Sequence, residues 1–102
     1  MTAGWLVGVL MEALDEAAPA RRYFAVARPD RAQAEWAAVD AAIAVGRVAT
    51  SPRGGVEPVE VEGELPAAFL AANGVRPGMV RDLGPLRPRR WLDAAIRPVR
   101  PD

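Results

Sequence analysis

Trp5-Leu6-Val7-Gly8-Val9-Leu10-Met11 is the stretch on which the fold turns. Seven apolar residues in a row fall far short of the roughly 20 that a membrane-spanning helix requires. A secretory signal would place basic residues ahead of such a run, but the first basic residue is Arg21, and the next charges are Glu12, Asp15 and Glu16. Neither a spanning helix nor a secretory signal is therefore expected. Trp5, Leu6, Val9, Leu10, Ala13, Leu14 and Ala17 recur at i, i+1, i+4 and i+5, the spacing that lines one helical face. This periodicity favours a helix ending before Pro19. A strand over residues 5–11 is the rival, because Gly4, Val7, Gly8 and Val9 weaken a helix locally.

The segments that follow read more plainly. Tyr23-Phe24-Ala25-Val26-Ala27 joins aromatic and β-branched residues ahead of Pro29, as a short buried strand does. Asp30 with Gln33 three residues on forms a capping box, which predicts a helix start. Ala32, Trp36, Val39 and Ile43 share one face of that helix and are expected to face the core, with Trp36 as its anchor and Gly46 as the stop. Val48-Ala49-Thr50 is a further short strand, and the turn residues 51–55 suggest that it forms a hairpin with Val59–Val61. In the latter, valines alternate with Glu60 and Glu62, and Pro58 places it at a sheet edge. Pro66 opens a short helix through Ala72 that closes at Asn73-Gly74, and Pro77-Gly78 fill the centre of a type II turn before a last strand.

From Gly84 onward the chain changes character, with Pro85, Pro88, Pro98 and Pro101 among Arg87, Arg89, Arg90, Arg97 and Arg100. The expected organisation is one α+β domain over residues 1–84 and an Arg/Pro-rich arm over 85–102. Trp91, Leu92, Ala95 and Ile96 repeat at i, i+1, i+4 and i+5, so the arm should dock one short helix on the domain. The fold class is α+β: a small sheet of three or four short strands, covered on one face by two or three helices. At 102 residues the chain fits one domain.

The chemistry available is narrow. The chain has no histidine, cysteine or lysine; all 13 basic residues are arginine. The usual proton shuttle, the most nucleophilic side chain, Schiff-base chemistry and the usual zinc ligands are thereby missing. Thr2, Tyr23, Thr50 and Ser51 supply hydroxyls without the context of a nucleophile elbow. Glu57, Glu60, Glu62 and Glu64 lack the loop glycine and ligand set of a calcium hand, and read as a solvated strand face that guards an edge. No enzyme, cofactor or metal is expected.

Arg87, Arg89 and Arg90 beside Trp91 are the sharpest charge cluster and the candidate contact for an anion or nucleic acid. The formal net charge is zero, however, and Asp82 and Asp93 lie nearby, so nucleic acid is the secondary reading. Pro85, Pro88 and Arg90 also fit a proline-rich peptide pattern, which arises readily by chance in a chain with 10 prolines and 13 arginines. Trp5 and Trp91 near the ends, with Leu92 and Ile96, are the candidate interface, since tryptophan is enriched at binding hot spots. The sequence therefore suggests a non-enzymatic interaction or accessory module that self-associates as a homodimer, most simply in the cytoplasm.

Overall fold

A computed structural model of the chain describes residues 2–12, 18–49 and 57–96. Residues 5–11 form strand, not helix: β1 spans Gly4–Glu12. It pairs in antiparallel register with β2, Ala20–Val26, matching Trp5 to Val26 and Met11 to Ala20. The helical spacing misled because β1 is buried on both faces. A central strand enclosed by helices reads as an unbroken apolar run whose face-to-face alternation is invisible in the sequence. Ala13, Leu14 and Ala17, the continuation of that expected helix, lie outside the described residues.

The other edge of β1 carries two strands end to end. β3, Arg47–Val48, pairs with Met11 and Glu12, and β4, Val59–Leu65, pairs with Gly4–Val9. The expected hairpin between them is thus replaced by a shared edge. Leu10 joins the two, donating its N–H to Pro58 (2.7 Å) and accepting that of Ala49 (2.9 Å). The turn residues 51–55 lie outside the described residues. β5, Val80–Gly84, completes the antiparallel sheet on the free side of β2. The type II turn ahead of it is present: Met79 donates to the Arg76 carbonyl at 2.9 Å, and Gly78 takes the positive φ of +85° that the turn needs.

Three helices pack on this sheet, which makes the fold α+β. The expectation of one covered face is corrected, because helices lie on both. α1, Arg31–Val45, packs Ala34, Ala38 and Ala42 against Trp5, Val7, Val9, Phe24 and Val26. The opposite face, with Leu6, Ala25 and Leu65, is covered by Leu70 of α2, Ala67–Ala72, and Trp91 of α3, Arg89–Ala94. Odd and even residues of β1 thus feed two separate cores. α3 is also tied to the sheet by its continuation, where Glu64 and Ile96 exchange backbone hydrogen bonds of 2.7 and 2.8 Å. Gly63 makes room for this, since a Cβ there would sit 2.9 Å from the Ile96 carbonyl oxygen.

Candidate functional site

The helix that sequence periodicity orients toward the core is turned the other way. Asp30 caps α1 as expected, its Oδ1 accepting the Gln33 N–H at 2.9 Å. Yet Trp36 is 71% exposed and Ile43 61%, and Ala32 is also exposed. Alanines occupy the buried side and let the helix backbone lie close to the sheet, where an indole would not fit. α1 has apolar residues on both sides and its polar ones, Arg31, Gln33, Glu35 and Asp40, spread round it, so periodicity alone could not choose the face; the choice was carried by side-chain size.

The outward residues frame a groove along one flank of α1. One lobe, of about 220 Å³, is lined by Glu35, Trp36, Val39 and Val59. The other, of about 480 Å³, is lined by Val39, Ile43, Gly46, Arg47, Val48 and Ala49. They meet at Val39, so the shared edge of β3 and β4 forms one wall and α1 the other. Each lobe has one charge on its rim, Glu35 at one end and Arg47 at the other. Glu35 also meets Arg31 at 3.5 Å, an exposed pair one turn apart that holds neither side chain firmly.

The candidate interface residues from the termini are placed differently. Trp5 is 7% exposed, its Nε1 donating to the Pro29 carbonyl at 3.0 Å with the Arg31 guanidinium over its ring. Trp91 is likewise 7% exposed and meets Phe69 edge-on at 4.9 Å between centroids. Leu92 is half-buried and Ile96 is exposed. The two indoles therefore belong to the two cores, and Trp36 is the one presented to solvent.

The arginine cluster is partly absorbed into packing. Arg90 lies over Phe69 and Arg81 over Trp91, but Arg90 stays exposed, as Arg87 and Arg89 do. Across the sheet, Arg21 lies along Gly8, donates to the carbonyls of Gly8 and Glu57 at 3.1 Å each, and meets Glu60 at 3.4 Å. A register shift in β4 divides the acidic stripe: Glu60 lies opposite Gly8 and Glu64 opposite Trp5, which places them on opposite faces of the sheet.

Asp82 sits in a well-defined electrostatic environment. Its partial burial would raise the carboxyl, but two Arg22 hydrogen bonds of 2.9 Å, the Gly84 N–H and the guanidinium charge together hold it below its ordinary value of 3.8. This is a cross-strand clamp between β2 and β5. Among the described residues no polar or charged side chain is fully buried, and no three acidic side chains are grouped to hold a metal ion. No described helix is long and apolar enough to cross a membrane. No family model, curated protein or solved structure matches the chain.

Proposed function

We propose that this chain is a non-enzymatic protein-interaction module whose working surface is the outer face of α1, acting in the cytoplasm. The observation that carries the reading is Trp36, held 71% exposed on a helix whose opposite face packs through alanine. An exposed indole beside Ile43, Val39 and Val59 is an apolar patch of the kind that marks contact sites. Tryptophan anchors such contacts because it buries a large, rigid surface with few rotatable bonds to freeze. The absence of catalytic chemistry rests on the residue inventory, which lacks histidine, cysteine and lysine.

Photocrosslinking in the cells that make the protein tests the reading. A photoreactive residue at position 36 should give an adduct that is missing when the same residue replaces the exposed Ala68 of α2. Equal yields at both positions would remove α1 as the contact surface. A nucleic-acid contact through Arg87, Arg89 and Arg90 is the competing reading; it requires an affinity that falls steeply with salt, whereas an apolar contact does not.

A further inference from the structure

We propose that the occupant of the α1 groove is a second copy of this chain, docked about a two-fold axis that crosses α1 between Val39 and Asp40. The proposal rests on α1 being the contact surface and adds its partner and geometry. A two-fold axis at that point runs the two helices antiparallel and sets residues 36 and 43 opposite each other, because both lie three and a half positions from the axis. Trp36 and Ile43 are seven residues apart, close to two helical turns, so they share one face of α1 at a separation of roughly 10 Å. Each copy then offers Trp36 as a knob, and beside Ile43 each offers a lobe of about 480 Å³ to receive it. Knob and hole on one molecule at matching distances from an axis are what an isologous interface requires. The same match is expected of ridges packing into grooves between helices.

Charge agrees with shape. Glu35 rims the Trp36 lobe and Arg47 rims the Ile43 lobe. The same axis brings Glu35 of one copy beside the partner's Arg47, and does so twice. The exposed Arg31 pairing leaves Glu35 free to turn toward the new partner. A parallel arrangement would instead stack Glu35 on Glu35 and Arg47 on Arg47, which like-charge repulsion disfavours.

Sedimentation equilibrium of the full chain decides the matter. The expected result is a mass that rises from one chain to two with concentration, and a melting temperature that rises with it. Trp36→Glu and Ile43→Arg should each hold the chain monomeric while keeping the circular dichroism of the wild type, since both side chains are exposed in the monomer. Glu35→Arg and Arg47→Glu should each weaken the dimer about tenfold, and the two combined should restore it. A chain that stays monomeric at millimolar concentration overturns the assignment of the partner. In that event the position-36 adduct still reports separately on the contact surface, because its mass distinguishes a second copy from another protein. A dimer that survives both Trp36→Glu and Ile43→Arg, or a double charge reversal that fails to recover it, overturns the two-fold geometry.

Discussion

At the scale of single residues, two carboxylates with different jobs bracket the fold's local physics. Asp30 accepts the Gln33 N–H and so satisfies an orphan donor in the first turn of α1. Asp30→Ala should lower stability by about 1 kcal/mol in denaturant titration and leave the position-36 contact intact. Asp82 works across strands, bound by Arg22 and Gly84. Because its folded value lies below its unfolded one, its contribution is fully present above the unfolded value and is lost as pH falls through the folded value. Asp82→Asn should therefore reduce the melting temperature at neutral pH, by an amount equivalent to about 1 kcal/mol for a partly exposed, two-pronged pair. As pH falls below about 4 its melting curve should begin to converge on that of the wild type, and the two should coincide only below the lowered folded value. Two parallel melting-temperature profiles across that range would remove the clamp from the account. Glycines set further limits: a Cβ on Gly4 would lie 2.4 Å from the Val26 carbonyl oxygen, so only glycine lets β1 approach β2 there.

At the scale of elements, α1 and α3 show how a helix chooses its buried side. The inner face of α1 is Ala34, Ala38 and Ala42, each fully buried, and its outer face carries the indole. At dilutions where the chain is monomeric, Trp36→Ala should change the unfolding free energy by less than about 0.5 kcal/mol, as expected of an exposed side chain. Ala38→Leu should destabilise by about 1–3 kcal/mol through overpacking. Chemical denaturation of the two variants side by side checks which face packs, and a large effect of Trp36→Ala would reverse the assignment. α3 is too short to persist alone in water and is held by Trp91, which meets Phe69 edge-on and lies under Arg81. Trp91→Ala should lower stability by about 3–5 kcal/mol. It should also speed amide exchange at Glu64 and Ile96, whose mutual hydrogen bonds follow from the docking of α3.

At the scale of the whole molecule, zero net charge means that no long-range field draws the chain to a polyanion. Titration with single-stranded and duplex oligonucleotides at physiological salt should show nothing tighter than the micromolar range of non-specific contacts, even though Arg87 and Arg89 are exposed. Sub-micromolar binding, lost when Arg87, Arg89 and Arg90 become glutamine, would instead favour the nucleic-acid reading. Much of the fold's punctuation was legible in the sequence because it is set by chemistry within a few residues. The Asp30 cap, the Gly46 stop, the Pro66 start of α2 and the Pro77-Gly78 turn are all local, whereas the stripe expected of the last helix holds only for Trp91 and Leu92, because α3 ends at Ala94 and Ala95 and Ile96 run on in extended form to bridge Glu64. Two decisions could not be read there. Whether residues 5–11 are strand or helix depends on helices above and below the sheet, drawn from distant parts of the chain, which bury both faces of β1 and erase its alternation. Which side of α1 faces inward depends on the clearance over Val7, Val9 and Phe24. That space admits alanine and turns Trp36 outward. Local hydrogen bonding and turn geometry are written residue by residue, whereas burial is settled only when distant segments meet, and tertiary packing therefore placed the candidate contact surface.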